Sequence, residues 1–298
     1  MNTPRHLAFA LAGLSVVLSA ASLSAQTVAY WRFEEGALLA DSGVNNHTLA
    51  QPGSGTSFAS VNRDANPGDT QGLLFPDPIP RTGAANTDGL FKSNTSTGYL
   101  STPDHANFAL NAFTLELFLG LKSIGSNAGF LAGHFNAGSH LRSYAMILSS
   151  AGELGVALSA NGADATQYYS GFTLSLENDY YLAVAVNTSA EVAERSITFF
   201  MQDLTRGGAL QSVTITGASV VESALFNSSA PFSIGAQGVG GSVTAFSGYL
   251  DEVRLSSGLL SGQDLLISTI PEPASAVALF GGLALAVAIG GRGRQRAG

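Results

Sequence analysis

The residues able to do acid–base or metal chemistry are sparse in this sequence, and their spacing is poor for catalysis. Carboxylates sit side by side at Glu34-Glu35 and at Asp251-Glu252. Neighbours in a strand point to opposite faces, so neither pair can act together on one bond. Glu116 is followed at its same-face positions by Phe118 and Gly120, which leaves it without an alternating carboxylate partner. Asp64-Ala65-Asn66-Pro67-Gly68-Asp69 opens like a run of oxygen ligands. Gly68 then takes the fifth position and Phe75 stands where a calcium loop needs a bidentate Glu, so the segment reads as a solvated loop. The five histidines make no His-Glu-x-x-His pattern, and His134 and His140, near an expected loop, read as surface or turn residues. No Gly-x-Ser-x-Gly elbow occurs. The absence of cysteine excludes thiol catalysis, thiolate zinc and disulfides.

The elements that would position these groups are strands. Phe113, Leu115, Leu117, Leu119 and Leu121 alternate with Thr114, Glu116, Phe118 and Gly120, and Tyr180, Leu182, Val184 and Val186 alternate with smaller residues. Period 2 marks a strand with one face toward a core. Residues 195–202 are β-branched and aromatic. Further strands are expected at 28–33, 143–148, 154–158, 166–172, 213–216, 232–235 and 248–255, with Gly, Asn, Ser and Asp between them as turns require. Residues 52–98 are rich in Pro, Gly, Asn and Ser and predict long loops around one strand near Leu73–Phe75. Ser261 is placed to cap one short helix over 261–267. Many short strands with turn residues between them imply an antiparallel β-sandwich or jelly roll.

The two ends read as addresses. Arg5 and His6 precede an apolar stretch from Leu7 to Leu18 and then small residues, the layout of a secretory signal peptide over 1–25. Cleavage after Ala21, Ser24 or Ala25 remains open, and the mature chain starts near Gln26. At the other end Pro271-Glu272-Pro273 leads into an uncharged apolar run of 16 residues, 274–289, and then Arg292, Arg294 and Arg296. The run is slightly short of the roughly 17–25 residues of a spanning helix, with Gly290 and Gly291 able to extend it. The arginines would stay cytoplasmic. This order of motif, apolar helix and basic end resembles the PEP-CTERM sorting signal of Gram-negative bacteria. The resemblance implies an exosortase-type processing enzyme as partner, a transient inner-membrane anchor, and delivery to the cell envelope, outer surface or extracellular matrix. Between the signals, residues 26–270 form the domain, with nine Lys+Arg against 20 Asp+Glu, a net charge of −11. So acidic a body excludes nucleic-acid binding, which needs a positive surface.

Several segments, in order, are similar to laminin-G-like domains of the concanavalin A-like lectin/glucanase type. They are the opening strand Val28-Ala29-Tyr30-Trp31-Arg32-Phe33, the loop Asp41-Ser42-Gly43, Phe113-Thr114-Leu115-Glu116, Phe232-Ser233-Ile234-Gly235, and the closing Gly248-Tyr249-Leu250-Asp251-Glu252-Val253-Arg254. The resemblance implies that first and last strands pair, with Trp31 packing near that closure or serving as a sugar-stacking platform; an alternating closing strand leaves Glu252 and Arg254 on one face, where they make structural polar contacts. It also implies a Ca2+ site at Asp41, which Asp251 would approach. Hydrolases of this fold carry a Glu-x-Asp-x-x-Glu strand, and none occurs here; the chain is not expected to be an enzyme. The leading expectation is a non-enzymatic binding or adhesion module for carbohydrate or exopolysaccharide, presenting aromatics such as Tyr168, Tyr169 or Tyr180. The alternatives are a structural surface protein without a small ligand and a divergent glycoside hydrolase.

Overall fold

The computed structural model describes residues 25–51, 58–62, 72–92, 98–125, 129–237 and 246–269. The strands are β1 (Gln26–Trp31), β2 (Phe58–Asn62), β3 (Asp88–Lys92), β4 (Leu100–Thr102), β5 (Ala112–Ile124), β6 (Gly129–Asn136) and β7 (Leu141–Leu148), followed by β8 (Glu153–Leu158), β9 (Thr166–Thr173), β10 (Asn178–Asn187), β11 (Ser196–Asp203), β12 (Gln211–Thr216), β13 (Phe232–Ile234) and β14 (Phe246–Ser257). They form two antiparallel sheets. One has the order β12-β11-β10-β5-β14-β3-β2, with β1 also on β14; the other runs β4-β13-β6-β7-β8-β9.

The alternation in β5 and β10 does what period 2 predicts. Leu115, Leu117 and Leu119 face the inter-sheet core with Leu182 and Val184, and the core continues through Met146, Leu148, Val156 and Leu158 of the six-stranded sheet. The end strands pair as expected, Trp31 opposite Val253 and Gln26 opposite Ser257. Trp31 is fully buried, stacks on Phe232 with ring centroids 5.2 Å apart, and donates its Nε1–H to the His47 carbonyl at 2.7 Å. It is a core residue rather than a sugar platform.

The outer face of the eight-stranded sheet is also covered. Phe118, Tyr181, Ala183 and Tyr249 pack there against Leu73, Phe75 and Ile79 from one crossing segment and Leu265 and Leu266 from another. This corrects two expectations. Leu73–Phe75 is not a strand but part of a cover, while strands form at β2 and β3 on either side of it. Residues 261–267 form turns rather than a helix; Ser261 Oγ donates to Asp264 at 2.7 Å, and Leu265 and Leu266 point into the sheet. His134 is corrected as well, since it lies fully buried on β6 beside Phe108 and Tyr144. β6 escapes a period-2 reading because its register shifts at Phe130/Ala132 and again at His134/Phe135. Among the described residues no helix is long and apolar enough to cross a membrane, and the run 274–289 lies outside them.

Candidate functional site

Among the described residues, the outer face of the six-stranded sheet carries a groove. Alternate residues of β6 to β9 point there, and in the middle strands they are small: Ala145, Gly155 and Ala157. Larger apolar side chains, Phe130 and Ile147, complete the floor, whose residues Phe130, Ala145, Ile147 and Ala157 are at most 5% exposed, and Phe135 and Tyr169 are half-buried against it. Small residues on the central strands and rings beside them make a groove of about 370 Å³. Gly155, beside the groove, makes room for the Tyr169 ring. A Cβ there would sit 2.6 Å from the Tyr169 ring and 2.8 Å from the Tyr168 carbonyl, so only glycine lets Tyr169 lie flat on the sheet.

Polar residues form the rim: Arg142 at the start of β7, Asp164 in the β8–β9 turn, Gln167 on β9, and Gln237 after β13. The β8–β9 turn is organised by Asn161, whose Oδ1 accepts the N–H groups of Ala163 (2.9 Å) and Asp164 (2.8 Å). Gly162 takes φ +78° there, where a Cβ would meet the His140 carbonyl at 2.6 Å. Arg142 donates to the Ala163 carbonyl and so lies along this turn. On the other side Gln237 Oε1 accepts the Ala137 N–H at 3.0 Å, tying the rim to the β6–β7 turn. Burial and the nearby Glu153 raise the pKa of the Tyr169 hydroxyl, which donates to Gln167 Oε1 at 2.7 Å. The face therefore offers hydrocarbon below and hydrogen bonds at the edge, the pattern of a site for an amphipathic ligand.

The residues expected from sequence fall elsewhere. Tyr168 and Tyr180 are buried, Tyr168 donating to Glu222 at 2.5 Å and Tyr180 accepting from the Ser175 N–H at 2.8 Å. Only Tyr169 of the three packs beside the groove's floor. Asp41 bridges to Trp31 on the first strand, and its carboxylate accepts three backbone N–H groups: Tyr30 at 2.9 Å and Gly43 at 2.7 Å on Oδ1, His47 at 2.8 Å on Oδ2. Asp251 is fully buried on β14 and accepts the Glu252 N–H at 2.9 Å. A hard cation is held by converging oxygens, whereas the donors around Asp41 are amides. Among the described residues no group of three or more His, Asp or Glu side chains is placed to share an ion. Pro271, Glu272, Pro273, Arg292, Arg294 and Arg296 lie outside the described residues.

Sequence reasoning missed the groove because its floor reads as ordinary core. The signal was present in β7 and β8, where apolar residues occupy both faces and small ones, Ala145, Gly155 and Ala157, sit at alternate positions.

A family model described as the concanavalin A-like lectin/glucanases superfamily matches residues 94–265. Among solved structures, the binding domain of Paraclostridial Mosquitocidal Protein 1 is similar at 10% identity with a TM-score of 0.52, over 81% of this chain and 51% of that one. The binding domain of botulinum neurotoxin serotype D gives 10% identity and a TM-score of 0.50, over 81% and 51%. A structure of botulinum neurotoxin type C, whose cell entry depends on interaction with two ganglioside molecules, gives 12% identity and a TM-score of 0.51, over 81% and 50%. The chain thus spans about half the length of these structures, and at such identities the likeness is one of fold. No protein of curated function matches the sequence.

Proposed function

Because the chain belongs to the concanavalin A-like lectin/glucanases superfamily, we propose that it is a non-enzymatic binding module whose groove on the six-stranded sheet takes a carbohydrate chain. The observation that carries this reading is the groove itself, with a floor of Phe130, Ile147, Ala145 and Ala157, Tyr169 lying beside it, and a rim of Arg142, Gln167 and Gln237. A pyranose ring is amphipathic in the same sense, with C–H faces for apolar side chains and hydroxyls for a polar edge. The ganglioside dependence of the type C neurotoxin, which shares the fold, supports sugar as the ligand class. Hydrolysis needs two carboxylates across the scissile bond, and Asp164 is the one carboxylate lining the groove among the described residues.

Export and sorting complete the reading. Residues 1–25 act as the signal peptide, 26–270 as the exported domain, and 271–298 as the address read by an exosortase-type enzyme, which leaves the domain at the envelope, outer surface or extracellular matrix of a Gram-negative cell. The test of ligand class is glycan-array binding by residues 26–270, confirmed as folded by a cooperative thermal transition, in calcium and again in chelator. Specific binding that Ala145→Phe abolishes supports the groove. Loss on chelation would support calcium at Asp41 and Asp251, whereas the amide donors around Asp41 favour binding that chelator leaves unchanged. Folded protein that binds no glycan sinks the carbohydrate reading in favour of a structural surface protein.

A further inference from the structure

The sheet edges differ in how they are closed. β4 is three residues long, and Ala50 and Ser101 exchange backbone hydrogen bonds along it at 2.6 and 2.8 Å. β9 meets β8 through a register shift between Glu153 and Gly155, and two of its N–H groups go to side chains: Gly171 to Glu153 Oε1 at 2.7 Å and Phe172 to Ser170 Oγ at 2.9 Å. A short edge, a covering segment and a bulge are devices that keep an edge strand from pairing with another chain.

β12, at the end of the eight-stranded sheet, carries none of these devices among the described residues. Its ladder on β11 runs unbroken from Ser196 opposite Thr216 to Met201 opposite Gln211. The strand Gln211-Ser212-Val213-Thr214-Ile215-Thr216 has no charge, proline or glycine, and all but Ile215 are exposed. Every second residue of an antiparallel strand turns its N–H and C=O away from the strand it pairs with, so the outer edge of β12 offers backbone donors and acceptors. Exposed apolar side chains gather at the same edge. Val213 lies on β12, and Val192 and Val221 lie in and just after the 3-10 turns 192–194 and 217–219, which pack together at its end. Residues 207–221 are uncharged throughout.

We propose that this edge pairs with the same edge of a second copy of the chain, antiparallel about a two-fold axis at Thr214. Two copies of net charge −8 repel, and the contact that costs least is one with no charge in it. The strand is also its own complement. Val213 and Ile215 stand opposite Phe199 and Ile197 on the core-facing side, and Thr214 shares a hydrogen bond of 3.0 Å with Thr198 on the other. An axis at Thr214 sets Val213 of each copy against Ile215 of the other, and Ser212 against Thr216. Apolar side chains thus meet on one face and hydroxyls on the other. The axis runs normal to the sheet, so the six-stranded sheets of both copies, with their grooves, lie on the same side of the dimer. The pairing is independent of what the groove binds.

The chain contains no cysteine, so single-cysteine variants report the contact without background. Val213→Cys, Thr214→Cys and Ile215→Cys are made in the full chain, purified in detergent and oxidised with copper phenanthroline. Residues facing each other across an antiparallel pair have Cα atoms about 4.5–5.5 Å apart, within disulfide reach. With the axis on Thr214, the two copies of residue 213, or of 215, are displaced by two positions and lie roughly 8 Å apart, out of reach. Disulfide-linked dimer is therefore expected from Thr214→Cys and lost at its two neighbours. Sedimentation of the parent full chain in density-matched detergent, over a dilution series, is expected to reach twice the monomer mass. Thr214→Lys sets two like charges against each other on the axis and is expected to return the mass to that of the monomer with an unchanged circular dichroism spectrum. A parent that stays monomeric at every concentration would overturn the proposal, as would linkage that is absent or equal at the three positions. Linkage peaking at 213 or 215 would overturn the axis. A dimer that survives Thr214→Lys would overturn the edge pairing and place the contact elsewhere on the chain.

Discussion

Glu252 is the most constrained residue of the closing strand. It takes φ +52° inside a register shift between Asp251 and Arg254, a conformation that non-glycine residues seldom adopt. Its buried carboxyl accepts from the Tyr30 hydroxyl and from Arg32 Nε at 3.0 Å. Burial pushes its pKa from 4.5 up to about 9, with Arg254 pulling the other way. The native state therefore holds a proton that the unfolded chain has released. Stability from this group is full below pH 4.5, falls as pH rises, and is lost above about 9. His47 and His134 have the opposite sign. Burial lowers both below 6.5, so they cost stability as the unfolded chain takes up protons on the acid side. Melting temperature should fall from pH 7 to pH 9 in the parent protein, and Glu252→Gln should flatten that decline; an unchanged slope would contradict the assignment. Arg254 instead pairs with Glu116, Nε to Oε1 at 2.6 Å, while Glu116 Oε2 also takes the Tyr181 hydroxyl (2.5 Å) and the Leu266 N–H (2.8 Å). Arg254→Met leaves that carboxylate buried without its cation and should cost about 3–5 kcal/mol in urea unfolding. Adding Glu116→Gln should recover part of the loss. The sequence disclosed that Glu252 and Arg254 were structural, but not their partners. Their nearest charged partners are 220 and 138 residues away along the chain, at Arg32 and Glu116.

At the scale of elements, the strands with clean alternation, β5 and β10, were legible at once, because they pair along an unbroken ladder, although the cover buries their second face as well. β6 was not, since two bulges break its period and its glycines carry no apolar signal. Gly133 shows why they are there. A Cβ at that position would lie 2.4 Å from the Tyr144 carbonyl and 2.6 Å from Ala145 Cα, so β6 and β7 could not approach to pairing distance. Gly133→Ala should destabilise by roughly 1–3 kcal/mol through forced displacement of the ladder, measured by thermal or urea unfolding. It should also disturb the groove, whose floor includes Ala145. A substitution that left both stability and groove binding unchanged would contradict the geometry. The two covering segments were misread because strand or helix was sought in residues that serve only to deliver Leu73, Phe75, Leu265 and Leu266 to the outer face of the eight-stranded sheet.

For the molecule as a whole, the cover formed by residues 259–269 should mark where the fold ends. It is held by Arg81 Nη2 to Asp264 at 2.9 Å, by Arg81 N–H to the Leu266 carbonyl at 3.1 Å, and by Arg254 to the Asp264 carbonyl at 3.0 Å. A chain ending at residue 269 should melt like the full chain, as the proposed sorting role of the tail requires. A chain ending at residue 258 uncovers Phe118 and Tyr181 and takes the Leu266 N–H from Glu116, and should lose cooperative melting or aggregate. Equal melting of the two truncations would show that the cover is dispensable. By itself the sequence determined the fold class and the acidity of the body, because period 2, turn residues and charge are local properties of the chain; the pairing of its first and last strands followed from the resemblance to laminin-G-like domains. It determined too little to place the groove. Ala145, Ala157 and Phe130 have the same side chains whether they face the inter-sheet core or a groove, and only the stacking of one sheet on the other decided which face of β6 to β9 carries the groove.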